Sequence, residues 1–454
     1  MKALCKNSKE LDLKAIQKGL DELMLMENAG ASLARLVKKE AKKLGQKNGK
    51  RAKILFLLGG GNNAADGLVA LRQLKNSYGF KLAFKENENF KKQEQILKNY
   101  GFKFLEKEPN FNDFHIIIDC IFGTGLNRKV DEKTAEILKK VNKSKALKIA
   151  CDMPTNLGFK PCFRADITLC MGSLKESLLE DFAKEKVGRL KVAKLGLRTR
   201  YFNEKASSFL LEKKDLRLIK RKKVSNKGDY GHIFVLGSKS AGSLAAMAAL
   251  NFGAGLVSLL GKESFSPLIM CKEVLDERAS VLCAGMGLKD LSFLKDELAF
   301  KKPLVLDAEC FLSKDILPHL NRSDVVITPH PKEFTRLYKL CFDEDLSLDE
   351  LFKKRFFYAR NFAKHYECVL VLKGANSIIT QKDKLFVINL GNEALAKGGS
   401  GDVLAGMIAA LMFKFKPLKA AKNAVLAHAL VARKYKFNKN SFDALKLIKG
   451  LKCL

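Results

Sequence analysis

The chain has 454 residues, 47% hydrophobic and 29% charged, which is typical of a soluble globular protein and long enough for two or three domains. No stretch stays apolar over the ~18 residues of a membrane-spanning helix, and no signal peptide is recognised, so we expect a cytoplasmic protein without a membrane partner. The net charge of +34 raises the question of nucleic acid. The lysines are interleaved with glutamate along the whole chain, which disfavours nucleic acid as a partner. The 11 cysteines form no Cys-x-x-Cys pair and are expected to be reduced core thiols.

The first half of the chain alternates helix and strand patterns. Apolar residues at three- and four-residue spacing predict a helix over residues 11–43. A continuous apolar run at 53–58 predicts a buried parallel strand, and a helix is expected over 66–78. Further strands are predicted at 81–84, 115–119, 148–151 and 167–170. This alternation predicts an α/β domain with a doubly wound parallel sheet, whose ligands bind at the carboxyl ends of the strands.

A lysine-rich stretch with little periodicity, residues 204–226, separates this half from a second one, so we predict domains at 1–205 and 206–454. The second half starts again with a strand at 232–236 and an alanine-rich helix at 243–252. It continues with strands predicted at 304–306, 325–327, 369–372 and 377–380, and with helices from Asp402 onward. The same alternation predicts a second doubly wound α/β domain.

Polar loops follow three strands of the first half. The run Gly59-Gly60-Gly61-Asn62-Asn63-Ala64-Ala65-Asp66-Gly67 follows the strand at 53–58, and its backbone amides suit a phosphate, although Asp66 alone could be a helix cap. Asp119 and Asp152 each end or follow another strand and lead into a loop. Because the carboxyl ends of parallel strands meet at one edge, we expect Asn63, Asp119 and Asp152 to lie close together.

These loops resemble the YjeF-type N-terminal domain, a family that epimerises the hydrated, damaged forms of NADH and NADPH. The resemblance rests on Leu25-Met26-Glu27-Asn28-Ala29-Gly30, the Asn-Asn…Asp-Gly loop, Asp-x-x-Phe-Gly-Thr-Gly and Asp-x-Pro. It implies a potassium ion held by Asn63, Asp119 and Thr155, and it implies Asp152 as the acid/base. The residues that it implies for binding hydrated NAD(P)H are Asn62, Asn63, Ala64, Ala65, Asp66, Gly123, Thr124, Gly125, Leu126, Asn127, Arg128, Lys129 and Asp152.

The sequence departs from this family pattern at two places. Ala64-Ala65 stands where the family has Gly-Gly, and Thr155-Asn156 stands where it has Ser-Gly. Thr155 keeps an oxygen ligand. Alanine at a position that needs a positive φ would cost about 1 kcal/mol or more, so we expect the loop at Ala64-Ala65 to differ slightly from the family's.

The second half carries a glycine-rich turn, Gly398-Gly399-Ser400-Gly401-Asp402, directly before an apolar helix. Free amides in such a turn form an anion hole, and Asp402 could take the proton from an attacking hydroxyl, with a simple helix cap as the alternative. Lys373 follows the strand at 369–372 and could meet a phosphate. His330 lies in the stiff Thr-Pro-His-Pro loop after the strand at 325–327, which favours a binding role.

These motifs resemble the ribokinase superfamily, and more closely its nucleotide-dependent NAD(P)H-hydrate dehydratase branch. The resemblance implies ADP or ATP with Mg²⁺ as the co-substrate, a reaction through a phosphorylated intermediate, and assembly into homo-oligomers. The implied contacts to the hydrated dinucleotide are Ala241, Gly287, His330 and Asp402. The implied nucleotide contacts are Lys373, Gly374, Ala375, Asn376, Ser377 and Gly401. Departures from the pattern are Lys332 for Gly, Glu393-Ala394 for Pro-Gly and Glu309 for Asp, none of which removes a reacting group.

Together the two halves predict a metabolite-repair enzyme. One domain would epimerise the R and S forms of hydrated NAD(P)H, and the other would dehydrate the S form back to NAD(P)H. Three alternatives stay open from the residues. The chain could be a ribokinase-type small-molecule kinase with a non-catalytic YjeF-like binding domain. It could be a dehydratase whose C-terminal half alone is active, with the N-terminal half as a binding module, or it could be a basic RNA-binding protein.

Overall fold

A computed structural model of the chain describes residues 1–6, 8–48, 51–125, 128–198, 206–275 and 277–454. The chain separates into two compact units, one formed by Ala3–Ala206 and the other by Met1–Lys2 with Ser207–Leu454. None of the helices within the described ranges is long and apolar enough to cross a bilayer. All 11 cysteines are free thiols, and eight of them are buried.

The N-terminal unit is built on a six-stranded parallel sheet of order β3-β2-β4-β5-β6-β8. A short parallel pair, β1 with β7, lies beside it. The strands are β1 (Lys2–Cys5), β2 (Ile54–Leu58), β3 (Ser77–Lys81), β4 (Ile116–Cys120), β5 (Leu147–Cys151), β6 (Ile167–Met171), β7 (Leu174–Lys175) and β8 (Arg189–Ala193). The helices are α1 (Ser8–Gln17), α2 (Glu22–Asn48), α3 (Asn62–Arg72), α4 (Glu88–Asn99) and α5 (Glu132–Lys143).

Helices cover both faces of this sheet, which makes it doubly wound. Ile54, Phe56 and Leu58 of β2 join one core with α2, α3 and α4, whereas Leu55 and Leu57 join a second core with α5. The strand order reverses at β2, whose neighbours are β3 and β4. Ligand crevices in such folds open at the carboxyl ends of the strands beside this reversal, which is where the loops after β2 and β4 begin.

The predicted strands and helices of this unit are found, but one helix is interrupted and two elements are shifted along the chain. The helix predicted over 11–43 is interrupted between α1 and α2, where Gly19 adopts a φ of +92°. The strand predicted at 81–84 lies earlier, at Ser77–Lys81, and the helix predicted over 66–78 spans Asn62–Arg72. Pairing between parallel strands uses backbone groups only, so β3 can include Gly79. The apolar residues at 82–84, on which the prediction was based, follow the strand instead.

The C-terminal unit has a larger sheet of order β12-β11-β10-β13-β14-β15-β16-β17-β18-β9. It is parallel except where β17 runs antiparallel to β16 and β18. The strands are β9 (Ser208–Leu210), β10 (His232–Leu236), β11 (Leu256–Leu260), β12 (Met270–Lys272), β13 (Val281–Ala284), β14 (Leu304–Leu306), β15 (Val325–Ile327), β16 (Val369–Leu372), β17 (Ser377–Gln381) and β18 (Lys384–Ile388). The helices are α6 (Lys239–Asn251), α7 (Glu297–Lys301), α8 (Leu317–Leu320), α9 (Pro331–Phe342), α10 (Leu348–Lys353), α11 (Arg355–His365), α12 (Ser400–Met412), α13 (Pro417–Lys434) and α14 (Ala444–Gly450).

The core of this unit forms where α6, α12 and α13 pack on the sheet. Ile233 and Val235 of β10 and Val371 of β16 contribute to it, and α12 is buried from Val403 onward. Helix α11 packs against β16 and β17. The strand order reverses at β10, between β11 and β13, so the second crevice opens after β10 and β13.

Candidate active sites

In the N-terminal unit, Asp119 at the carboxyl end of β4 and Thr155 after β5 form a buried hydrogen-bonded pair. The Thr155 amide donates to Asp119 Oδ2 over 2.7 Å, and the Thr155 hydroxyl donates to Asp119 Oδ1 over 2.7 Å. The Phe122 amide donates in turn to Thr155 Oγ1 over 3.1 Å. Burial raises the pKa of the Asp119 carboxyl to about 6, although the hydrogen bonds from Thr155 oppose this rise. A nearby cation would favour the ionised carboxylate.

Asn63 has a carboxamide that lacks protein partners. Its Oδ1 and Nδ2 atoms are both buried and, among the described residues, neither makes a hydrogen bond. A buried polar group left unpaired costs about 1–3 kcal/mol, so such a group points to a ligand that supplies the missing contact. The oxygen donors of Asn63, Asp119 and Thr155 are the type that a potassium ion accepts. The residues present therefore fit the cation that the sequence resemblance implied.

Asp152 lies beside the same loops, in a conformation that aspartate adopts rarely. Its φ is +66°, and strain of this kind persists where the surroundings fix the residue, as at functional sites. A Cβ placed on Gly123 would stand 3.1 Å from Asp152 Oδ2 and 3.5 Å from Asn63 Cγ, so the loops after β2, β4 and β5 meet at Gly123. The structure thus brings Asn63, Gly123 and Asp152 together at one edge of the sheet.

The remaining predicted ligand-binding residues of this unit differ in accessibility. Thr124 is half-buried, whereas Gly125, Arg128 and Lys129 are exposed. Leu126 and Asn127 lie outside the described residues. Asn62 is exposed and accepts a hydrogen bond from Asn87 over 2.6 Å.

The expectation that alanine strains the loop at Ala64-Ala65 is wrong. Helix α3 begins at Asn62, so both alanines are helical, and neither is among the residues with positive φ. Both are fully buried, and their side chains pack in the core behind the site. The other departure from the family pattern is also accommodated, because Asn156 adopts a φ of +65°, which asparagine tolerates better than most residues.

Three further charged groups lie near Asp152. Lys175 and Asp12 were not singled out from the sequence, whereas Asp66 is one of the predicted ligand contacts. The Lys175 ammonium forms an ion pair with Asp152 Oδ1. Burial, followed by the charge on Asp152, raises the pKa of Asp66 well above its usual value. Burial raises the pKa of Asp12 to about 6, with the Lys175 ammonium opposing the rise. The acid/base candidate therefore sits among further carboxyls with one buried cation.

In the C-terminal unit, the glycine-rich turn leads directly into α12. Gly399 precedes the helix with a φ of +84°, and a Cβ there would stand 2.9 Å from both Ala444 and Leu244, so only glycine fits. Asp402 lies in the first turn of the helix, where free amides favour an anion. Asp402 is not the helix cap, because the cap position is Gly399.

Asp402 faces a cluster of charges at the carboxyl ends of β14 and β16. The Lys373 ammonium lies 2.8 Å from Asp307 Oδ1. A Cβ on Gly401 would stand 3.3 Å from Lys373 Nζ and 3.5 Å from Asp307 Oδ2, so the turn and this ion pair are adjacent. Burial and then the charge on Asp307 raise the pKa of Asp402 to about 6, with Lys373 opposing and Glu309 reinforcing the rise.

His330 caps helix α9 as well as lining this cluster. Its Nδ1 accepts from the amides of Lys332 and Glu333, and its Nε2 lies 3.2 Å from Glu333 Oε1. Burial and the neighbouring Lys373 lower the pKa of His330, so the neutral ring is favoured. Burial raises the pKa of Glu333. The histidine therefore has a structural role, and its half-exposed ring still borders the site.

The predicted dinucleotide contacts Ala241 and Gly287 meet at the reversal of strand order. A Cβ on Gly287 would stand 2.6 Å from Ser238 Oγ and 3.8 Å from Ala241 Cβ. The Gly287 amide donates to Glu309 Oε2 over 2.9 Å. Glu309, which replaces the family's aspartate, thus links this turn to the charged cluster.

The predicted nucleotide contacts form the turn between β16 and β17, and a buried arginine holds it. The Arg355 guanidinium, fully buried, donates to the carbonyl oxygens of Leu372, Lys373 and Asn376 over 3.1, 3.0 and 2.9 Å. A Cβ on Gly374 would stand 2.4 Å from Arg355 Nη2, so this glycine is needed for the guanidinium to approach. Ala375 completes the turn, Ser377 begins β17, and the remaining predicted contact, Gly401, lies in α12.

A buried histidine supports the glycine-rich turn from behind. His428 Nε2 lies 3.0 Å from the Ser400 carbonyl oxygen and 3.2 Å from its hydroxyl. Burial lowers the pKa of His428 to about 4, so the ring is neutral at neutral pH. Neither Arg355 nor His428 was indicated by the sequence alone.

Comparison with known proteins assigns both halves of the chain. Residues 234–452 match the family model described as NAD(P)H-hydrate dehydratase, and residues 22–177 match the YjeF-related protein N-terminus. The chain is 37% identical over 469 aligned positions to the bifunctional NAD(P)H-hydrate repair enzyme Nnr of Helicobacter pylori, covering 98% of each chain. It is 31% identical to the enzyme of that name from Escherichia coli, covering 83% of this chain and 80% of that one.

Among solved structures, the chain is similar to an ADP/ATP-dependent NAD(P)H-hydrate dehydratase from Bacillus subtilis, co-crystallised with ATP and Mg²⁺. The identity is 28%, the TM-score is 0.45, and the match covers 52% of this chain and 92% of that one. The near-complete alignment to the Helicobacter pylori enzyme, with both domain models in order, identifies the family. The chain belongs to the bifunctional NAD(P)H-hydrate repair enzymes.

Proposed function

We propose that the chain repairs hydrated NADH and NADPH, with residues 1–205 as the epimerase domain and residues 206–454 as the ADP- or ATP-dependent dehydratase domain. One observation carries the proposal. A glycine turn with Asp402 beside the Lys373–Asp307 pair stands in the same chain as a site that joins Asn63, Gly123 and Asp152. The first arrangement suits phosphoryl transfer, and the second suits acid–base chemistry on a bound cofactor.

In the dehydratase, Asp402 accepts the proton of the hydroxyl on C6 of the hydrated nicotinamide ring. The hydroxyl oxygen attacks the terminal phosphorus of the nucleotide, and the bond from that phosphorus to the leaving phosphate oxygen breaks. The C6–O bond then breaks with release of inorganic phosphate, assisted by the lone pair of the ring nitrogen. Loss of a proton from C5 restores the dihydronicotinamide.

The protein supplies orientation and charge for these steps. We propose that Ala241, Gly287 and His330 contact the hydrated dinucleotide, and that Lys373 to Ser377 with Gly401 contact ADP or ATP. Amides of the turn from Gly399 to Gly401 hold the negative charge that develops on the transferred phosphoryl group. Bound Mg²⁺ supplies further positive charge on the phosphate oxygens.

The carboxylates of this unit fit a cation that arrives with the nucleotide. Among the described residues, no group of three or more His, Cys, Asp or Glu side chains forms a ready-made metal site. Magnesium typically binds through one or two carboxylates together with substrate phosphates. Asp307, Glu309 and Asp402 provide carboxylates of this kind next to Lys373.

In the epimerase, we propose that Asp152 moves the proton of the C6 hydroxyl. The hydroxyl proton passes to Asp152 as C6–O becomes a carbonyl, and the electron pair of the C6–N bond moves to the ring nitrogen. Ring closure on the other face reverses each transfer and inverts C6. The proposed binding surface comprises Asn62 to Asp66, Gly123 to Lys129 and Asp152. A potassium ion held by Asn63, Asp119 and Thr155 would fix the loops that carry these groups.

The central experiment incubates the purified full chain with separated R and S epimers of hydrated NADH, ADP and Mg²⁺. We expect the S epimer to regain the near-ultraviolet absorbance of NADH with one phosphate released for each NADH formed. The R epimer should follow after conversion to S. Accumulation of a phosphorylated alcohol without recovered absorbance would instead identify a small-molecule kinase.

Three finer features are tested by separate measurements. Replacing K⁺ by Li⁺ should slow equilibration of the epimers and leave dehydration of the S form unchanged. Light scattering of the purified chain checks the predicted homo-oligomer. Fractionation of cells checks the cytoplasmic location, which the free and mostly buried cysteines support because a reducing compartment preserves thiols.

A further inference from the structure

Lys175 is a lysine buried in the N-terminal unit, next to the candidate epimerase site. Its side chain is 3% exposed. It belongs to β7, which pairs in parallel with β1 through Leu4 with Leu174 and Cys5 with Lys175. A buried ammonium is strongly disfavoured unless a counter-charge and hydrogen bonds compensate it. Retention of such a group therefore calls for a partner.

That partner is one oxygen of Asp152. Lys175 Nζ donates to Asp152 Oδ1, and the Met171 amide donates to the same oxygen over 3.1 Å. In the described part of the chain, no donor is recorded at Asp152 Oδ2, which faces Gly123 and Asn63 instead. The two oxygens of this carboxylate are thereby made different. Oδ1 is held by the protein, and Oδ2 is left for the site.

The surroundings explain why a cation is needed there. Asp66 of α3 and Asp12 of α1 both face Asp152, and its charge contributes to raising the pKa of each, after burial. The thiols of Cys5 on β1 and Cys170 on β6 also lie within electrostatic reach of Lys175. Burial lowers the pKa of Lys175, but the charge and hydrogen bond of Asp152, together with Cys170 and Cys5, raise the pKa overall. Lys175 therefore stays charged among groups that would otherwise repel the Asp152 charge.

We infer that Lys175 is a positioning residue of the epimerase, which holds Asp152 through Oδ1 and directs Oδ2 at the C6 hydroxyl. The inference rests on the proposed epimerase function of this unit. Lys175 does not itself touch the substrate in this arrangement. Its removal should therefore impair the proton transfer more than the binding of the dinucleotide.

The test uses the full chain with Lys175→Met. At neutral pH we expect kcat for epimerisation to fall roughly 100-fold while KM changes less than about twofold, since the effect lies on a general base. Dehydration of the S epimer by the same preparation reports that the C-terminal unit is folded and active, and an unchanged KM for epimerisation reports that the N-terminal unit is folded.

Lys81→Met is the matched control, because Lys81 also forms ion pairs, with Glu86 and Glu94, but stands away from Asp152. It should leave both kinetic constants of the epimerase unchanged. Lys175→Met with an unchanged kcat, or with a rise in KM as large as the fall in kcat, would overturn the inference. Absence of epimerisation by the unsubstituted chain would instead overturn the proposed function.

Discussion

The two candidate acid/base groups, Asp152 and Asp402, both lie near the carboxyl ends of parallel strands, but their electrical surroundings differ. Asp152 is paired with the buried Lys175 ammonium. Asp402 faces Asp307 and Glu309, and the nearby Lys373 is already paired with Asp307. The Asp152 carboxylate thus has its own counter-charge before a ligand binds. The dehydratase site keeps an excess of carboxylates, which suits a substrate that brings a magnesium ion.

Asp402→Asn is the substitution that we expect to separate the two activities most clearly. Asparagine keeps the shape of the side chain but cannot accept the hydroxyl proton, so dehydration of the S epimer should slow roughly 1,000-fold. Phosphate release and recovery of NADH absorbance both measure this loss. Conversion between the epimers should be unaffected, because Asp152 stands in the other unit. Dehydration within tenfold of the unsubstituted rate would mean that Asp402 is not the base.

The turn proposed to bind the nucleotide is tested by Arg355→Lys. The guanidinium reaches the carbonyl oxygens of Leu372, Lys373 and Asn376, and a single ammonium cannot match this planar geometry. We expect KM for ADP to rise roughly tenfold, from loss of one or two charge-assisted hydrogen bonds, with kcat changed less than about twofold. Arg360→Lys on the same helix is the control, since Arg360 donates to Ser208. An unchanged KM for ADP would show that nucleotide binding does not depend on the hydrogen bonds from Arg355 to the turn.

Arg355 and Lys175 also mark where the sequence stops predicting the site. Arg355 follows Lys353 and Lys354, and this run has the appearance of an exposed basic stretch. Lys175 is one of 83 lysines and arginines, so composition gives no reason to select it. Burial of both is decided by tertiary packing, which no local pattern reports. The loops at strand ends were predictable because continuous apolar runs followed by small or acidic residues reflect a local rule.

The fold shows the same division between local and tertiary signals. The short strands Val325–Ile327 and Val369–Leu372 coincide with apolar runs that the sequence displays. The single long helix predicted near the N-terminus is two helices in the structure. The sequence did not show the break, because the apolar spacing continues through it and only the backbone conformation at Gly19 interrupts the helix. The position of a strand within its sheet, such as that of β2 at the reversal, depends on pairing between distant segments. The sequence therefore predicted only the class of fold, a doubly wound sheet.

The pH dependence of dehydration should reflect the excess of carboxylates at Asp402. Burial raises the pKa of Asp402 to about 6, above its usual value, so the carboxylate form needed as a base predominates only above that pH. The rate should therefore fall as the pH is lowered through about 6. Glu309→Gln removes one like charge, lowers the pKa of Asp402 and should move this fall to lower pH.

Glu297→Gln is the control for that shift, because Glu297 pairs with Lys301 on α7, away from Asp402. Its pH profile of kcat should superimpose on that of the unsubstituted chain. A profile of Glu309→Gln that moves to higher pH would contradict the repulsion between the carboxylates.

The smallest effect concerns the loop at which this chain departs from its family. Ala64 is helical and fully buried, so Ala64→Gly removes a packed methyl group and adds backbone freedom. Together these should lower the free energy of unfolding of the N-terminal unit by about 1–2 kcal/mol, measured by denaturant titration. Epimerisation should stay within about twofold of the unsubstituted rate, since the alanine side chain lies behind the site. Ala135→Gly in α5 is the control, because it measures the loss in free energy of unfolding that glycine causes at a half-buried helical position. If Ala64→Gly instead stabilised the unit and quickened epimerisation, alanine would be straining the loop after all.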